Sequence, residues 1–146
     1  MFKRSLTNKI NSEKTFSNTI TRTTLVKMEE EKIKNPMDIH FYFTKETSDS
    51  ALEIREELKK KFPTLTFYNP HFENIGPHLY PMWEADFSKS KEFHKDFGSI
   101  THWLMLNRKG HSVLIHPHTG NSLKDHTINA IWLGEKLNLN FKELEE

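Results

Sequence analysis

The chain of 146 residues contains no cysteine, and that absence removes more chemistry than any other feature of its composition. Disulfides, thiolate metal sites and cysteine nucleophiles are excluded, so any metal must be held by imidazole and carboxylate. The lack of cysteine favours a cytoplasmic protein. Long apolar runs are missing too: nothing approaches the roughly 18 consecutive apolar residues that a membrane helix needs. The net charge of +1 gives no electrostatic case for nucleic acid or anionic lipid, so neither nucleic acid nor membrane is expected as a partner. The five glycines are scattered, with no phosphate-binding loop, no G-x-S-x-G elbow and no H-E-x-x-H. Lys59-Lys60-Lys61 and Arg108-Lys109 are short basic runs that read as solvated helix ends.

What is present is enough for one compact domain: 35% hydrophobic residues, 12% aromatic, eleven of them Phe. Charge divides the chain near Pro36. Residues 1–35 hold eight Lys/Arg against four acids and no His, whereas residues 36–146 hold thirteen Lys/Arg against sixteen acids and all nine His. The first 35 residues lack apolar periodicity and read as a disordered basic tail, with a transit peptide, or an overextended start before Met28 or Met37, as the alternatives.

From residue 37 the periodicities change element by element. Ile39 to Phe43 alternates as a strand, and Ala51, Ile54, Leu58 and Phe62 follow helical spacing. Ser50 with Glu53 reads as a capping box, and Pro63 stops this helix. Thr64–Tyr68 and Pro81–Phe87 read as strands two and three, and Phe93, Phe97, Ile100 and Leu104 mark a second helix ended beyond by Gly110. Ser112–His116 is strand four, and Ser122–Leu133 reads as a short terminal helix stopped by Gly134. This order is α+β: a ferredoxin-like βαββαβ with an extra short C-terminal helix and spatial strand order 4-1-3-2.

Strand alternation assigns faces. Ile39, Phe41, Phe43, Leu65, Phe67, Trp83, Ala85, Phe87, Val113 and Ile115 should face the helices. His40, Tyr42, Tyr68, Met82, Glu84, Asp86, Ser112, Leu114 and His116 should lie on the open face, a candidate homodimer surface. On that face His40, Glu84 and His116 cluster at one end, and two imidazoles with one carboxylate form the facial triad of non-haem Fe(II) sites. Each histidine also has a plain reading as a hydrogen-bonded structural residue. His118 shares a side with His116 unless Pro117 begins a turn, and His78 sits in a loop at the opposite end of strand three. Asp125 reads as an N-cap with His126 exposed in the first turn; His71, His94, His102 and His111 read as surface.

Several motifs together resemble the DOPA 4,5-dioxygenase family: His40-Phe41-Tyr42-Phe43, Gly76-Pro77-His78 followed by Pro81-Met82-Trp83-Glu84, Trp103-Leu104-Met105-Leu106-Asn107-Arg108, His116-Pro117-His118-Thr119-Gly120 with Asp125-His126, and Ala130-Ile131-Trp132-Leu133-Gly134. The resemblance spans about residues 38–139. It implies a ferredoxin-like enzyme that opens a catechol ring beside its hydroxyls, using O₂ and a non-haem divalent metal, Fe(II). It also implies that His40, His78, His116 and His126 are the functional histidines, with His118 less constrained. His40 and His116 then rank first as ligands, Glu84 as the carboxylate, and His78 and His126 as a further ligand or acid–base groups. The competing reading is a dimeric ferredoxin-like module that binds a small ligand without catalysis.

Overall fold

A computed structural model of the chain describes residues 35–145; the basic segment read as a tail lies outside them, apart from residue 35. The elements are β1 (Met37–Tyr42), a 3-10 turn (Lys45–Thr47), α1 (Ser48–Lys61), β2 (Thr66–Phe67), β3 (Met82–Asp86), α2 (Phe93–Asn107), β4 (Val113–Pro117), α3 (Ser122–Asp125), β5 (Ile131–Leu133) and a 3-10 turn (Phe141–Leu144). The sheet order is β2-β3-β1-β4-β5, antiparallel at every junction. This is the ferredoxin-like α+β arrangement, extended by one strand beyond β4.

The added strand corrects the terminal-helix reading. Only Ser122–Asp125 is helical, and Ile131-Trp132-Leu133 pairs with β4 instead. Three consecutive apolar residues cannot share one stripe of a helix, but on a strand they split cleanly between faces. Leu133 packs on the helix-side core and Trp132 on the opposite cluster. Gly134 therefore ends a strand: its φ is +81°, and a Cβ there would stand 2.5 Å from the Arg108 guanidinium.

The alternation reading of the core holds. Ile39, Phe41, Trp83, Ala85, Val113 and Ile115 are fully buried under α1 and α2, which contribute Ala51, Ile54, Leu58, Ile100 and Leu104. Phe41 stacks on Trp83 at 4.6 Å, and the Trp83 indole N–H donates to the Ala51 carbonyl at 2.9 Å. Helix α1 starts three residues earlier than the Ser50–Glu53 box implied. The capping box is Thr44 with Thr47, and Ser50, already inside the helix, pairs its hydroxyl with His111 Nε2 at 3.0 Å.

The other sheet face is not left bare. Tyr42, Met82 and Leu114 are buried there under Trp132, Leu137 and Leu139. The apolar surface expected to serve a homodimer is thus covered by the chain's own C-terminal segment. That segment also fastens the loop after β2: His78 bridges Leu139, and the Asn140 N–H donates to the Pro77 carbonyl at 2.8 Å. The loop turns at Gly76, whose φ of +53° is inexpensive only for glycine, and closes with reciprocal Ile75–His78 backbone hydrogen bonds. Among the described residues no helix is long and apolar enough to cross a membrane.

Candidate metal centre

Two strands deliver the first imidazoles. The register places Asp38 opposite His116 and His40 opposite Leu114, so His40 and His116 are diagonal neighbours on one face. Their rings stack at 5.1 Å with Nε2 atoms 3.0 Å apart, and both residues are buried. The third comes from the turn after β4. Asn121 caps α3 by accepting from the Lys124 N–H at 2.9 Å, while the buried Asp125 carboxylate accepts from the Thr119 N–H, the Thr119 hydroxyl and Asn129. Asp125 is therefore the brace of this loop and not its N-cap. Its neighbour His126 is buried, with its ring 4.0 Å from that of His116.

The tautomers follow from the other ring nitrogens. His116 Nδ1 lies 3.0 Å from the Pro117 carbonyl and His126 Nδ1 2.8 Å from the Ser122 carbonyl. A carbonyl can only accept, so in each neutral ring Nδ1 carries the proton and Nε2 the lone pair. His40 Nδ1 faces Met82 Sδ at 3.4 Å, a weak acceptor with the same effect. Three ligand nitrogens, from His40, His116 and His126, then lie within 4.8 Å of one another. Two lone pairs only 3.0 Å apart repel unless a cation lies between them, and this is the spacing of adjacent nitrogen ligands each about 2.0–2.1 Å from one ion. The donor set, with its Nδ1–H groups anchored as in histidine metal sites generally, fits a first-row divalent metal.

His78 joins from the loop, which corrects its placement at the far end of β3. The folded-back loop sets its buried ring 4.2 Å from His40 and 5.9 Å from His126, with Nδ1 2.7 Å from the Tyr42 hydroxyl. Glu84, opposite His40 on β3, groups with His40 and Asp38, whereas the ligand atoms close to His40 and His116 together are those of His126. Pro117 does not begin the turn, since β4 runs through it and pairs it with Met37; His118, though exposed, stays on the side of His116, with its ring 5.5 Å away and Nε2 2.8 Å from Asp38. His94 and His102 are on the surface, but His111 is not: it is buried, with Nδ1 3.0 Å from the Tyr42 carbonyl. Asp38 was missed because strand one was begun at Ile39; its parity with His40 and Tyr42 was the available signal. Tyr42 was placed on the right face but given no role.

Burial keeps these imidazoles neutral. His40 is held well below the usual imidazole value, first by burial and then by His78, His116 and His126; His116 is lowered first by burial; His78 is pushed down to about 3 by burial and neighbouring imidazoles. Burial, with Asp38 and Asp86 nearby, pushes Glu84 up to about 7, and burial raises the Tyr42 phenol, which stays protonated. A histidine lowered from 6.5 stabilises the fold fully above 6.5 and loses that contribution as pH falls through its folded value. Glu84 acts oppositely between 4.5 and about 7, but three histidines outweigh one carboxyl. The metal-free protein should therefore melt at a lower temperature at pH 5 than at pH 7; a flat or rising melting temperature on acidification would refute the buried neutral cluster.

The centre opens into a cleft of about 660 Å³ lined by Asp38, His40, His116, His118, Asn121, Ser122, Leu123, His126 and Leu144, among others. Known proteins resemble this chain. A 21.2 kDa uncharacterized protein of Botryotinia fuckeliana is 37% identical over 117 residues, covering 73% of this chain and 62% of its own length. The DOPA 4,5-dioxygenase of Amanita muscaria is 28% identical over 116 residues, covering 72% of this chain and 47% of its own. The chain thus spans about half to three-fifths of the length of these curated relatives. The crystal structure of a candidate dioxygenase from Nostoc punctiforme superposes with a TM-score of 0.68 at 34% identity, covering 77% of this chain and 93% of that one. The Dopa 4,5-dioxygenase family profile matches residues 37–143, most of the chain and every element that carries the imidazoles, and the chain belongs to that family.

Proposed function

We propose that this protein is a non-haem, metal-dependent dioxygenase that cleaves a catechol ring in the extradiol manner, with DOPA or a caffeate-like compound as substrate and O₂ as co-substrate. The observation that carries the reading is the convergence of the three Nε2 lone pairs of His40, His116 and His126, two of them fixed by Nδ1–H donation to backbone carbonyls. These three residues would hold the metal, and Glu84 is the carboxylate nearest to His40 on the facing strand. A bound Fe(II) supplies open coordination positions at which a catechol and O₂ meet.

The chain's own groups do the rest. Leu123 and Leu144 give the cleft apolar walls beside the imidazoles. The Tyr42 hydroxyl can donate to or accept from His78 Nδ1, so His78 Nε2 presents a proton in one tautomer and a lone pair in the other. A group that accepts the catechol proton and later returns it needs that property. Glu84, poised near neutrality, can hold a further proton at its carboxyl oxygen.

The test is direct. Protein purified without air, given Fe(II) and then a panel containing DOPA and caffeate, should turn at least one of them into a yellow ring-opened product with matching O₂ uptake. No colour and no uptake across the panel, with no bound metal, would favour a non-catalytic binding module. The ligand set has its own check: His126→Ala should lose iron and Glu84→Gln should keep it, and the reverse pattern would restore the carboxylate to the set.

A further inference from the structure

One imidazole of the cleft is held in place without belonging to the three-imidazole centre. The His118 side chain is 45% exposed, yet its Nε2 lies 2.8 Å from Asp38 Oδ2 and its ring centre 5.5 Å from that of His116. Asp38 is itself fixed: it is buried, and the Asn35 amide donates to its Oδ1 at 2.8 Å. Asn35 is fixed in turn, its side-chain oxygen accepting from the Phe87 N–H at 3.3 Å. A chain of hydrogen bonds thus orients a ring that solvent would otherwise leave free to rotate. A carboxylate can only accept, so in the neutral His118 ring Nε2 carries the proton and Nδ1 the lone pair.

The charges around that ring are of one sign. Three carboxylates line the cleft, those of Asp38, Asp125 and Glu145, and no Lys or Arg does. Asp125 is engaged within its own loop by Thr119 and Asn129. Asp38 and Glu145 remain to act on whatever enters, and a ligand with a negative tail meets no lysine or arginine to offset them.

We propose that His118, positioned by Asp38, selects the tail of the substrate, and that the preferred substrate is a catechol whose tail ends in a cationic amine without a free carboxylate. The inference rests on the proposed catechol cleavage at the three-imidazole centre and refines its substrate class. Of the two charges on a DOPA-like tail the cleft matches the ammonium alone. With the catechol oxygens at the imidazoles, the tail extends past His118, where an ammonium donates to the Nδ1 lone pair within the field of Asp38 and Glu145. A carboxylate tail, as in caffeate, is repelled by the same two groups.

The experiment measures affinity by calorimetry on the full chain loaded with Zn²⁺, which binds imidazole and has no redox chemistry, so ligand binding is read apart from turnover. Three catechols share one ring and differ in the group para to one hydroxyl: aminoethyl, ethyl or carboxyethyl. In wild type the aminoethyl compound should bind about tenfold more tightly than the ethyl one, the scale of one hydrogen bond to a charged group, and the carboxyethyl compound should bind most weakly. In His118→Leu, and separately in Glu145→Gln, the ratio of aminoethyl to ethyl affinity should fall toward one, the ethyl compound serving as the reference within each variant. Equal affinities in wild type, or a preference for the carboxyethyl compound, would overturn the inference and leave catechol binding intact; this comparison needs no variant. A wild-type preference that persists undiminished in His118→Leu would overturn the role of His118. Should none of the three bind, the catechol reading itself fails and the selection of the tail with it.

Discussion

Replacing His116 by alanine is expected to abolish iron binding and turnover together. The ring stands between the other two proposed ligands, 5.1 Å from His40 and 4.0 Å from His126 by ring centres, so its removal takes out the donor that both of them adjoin. Its Nδ1–H is anchored to its own strand, which makes the ligand geometry a property of β4 and not of a mobile side chain. The fold should survive, because the main core lies on the opposite sheet face, where Val113 and Ile115 point. Iron content measured after anaerobic loading should fall from about one per chain to background, with catechol-dependent O₂ uptake lost in parallel. His102→Ala, which removes an exposed imidazole from α2, should change neither. Iron content and turnover in the His116 variant equal to wild type would end its assignment as a ligand.

Replacing His78 by alanine should separate chemistry from metal binding. His78 packs on His40 but draws its orientation from Tyr42 and from the loop–C-terminus bridge. Burial holds its ring neutral far below physiological pH, so at neutral pH it relays a proton between Nε2 and the Tyr42 hydroxyl at Nδ1 and does not store an imidazolium charge. Loss of a positioned acid–base group costs about 10²–10⁴-fold in rate. The expected result is a fall of that size in kcat, with iron content and KM for the catechol changed little. A His78→Ala protein that binds no iron would make His78 a ligand instead, and one with unchanged kcat would remove it from the chemistry.

The sheet was legible in the sequence because strand alternation and the apolar stripes of α1 and α2 each point one way. Ile39, Phe41, Trp83, Val113 and Ile115 are buried as their parity requires, and the predicted strand order is preserved within the observed one. His40 and His116 could be brought together from parity and register alone. What alternation cannot see is a long loop's path. His78 lies in the fourteen-residue connection between β2 and β3, residues 68–81, whose course is set by a turn at Gly76 and by contacts with Asn140 and Leu139, more than sixty residues away in sequence. His126 was hidden for a related reason. Asp125 looks like an N-cap in sequence, but three hydrogen bonds from Thr119 and Asn129 make it the clasp of a loop that carries His126 inward. The family resemblance supplied both histidines where local pattern could not.

That division explains how the protein assembles its centre. Two ligands are carried by paired strands, whose register fixes them to one another; the third side chain arrives on a turn braced by Asp125, and the proton-handling group on a loop clamped by the C-terminal chain. Loosening the clamp should therefore disturb His78 before it disturbs His40 or His116.

The most direct measurement is the fate of isotopically heavy O₂ in a single turnover of the Fe(II)-loaded protein with its catechol. If the three-imidazole centre carries out ring cleavage, both heavy oxygen atoms should appear in the ring-opened product, and His116→Ala should form none of it. A product whose added oxygen comes from water, or product formed equally well by the His116 variant, would contradict the central claim.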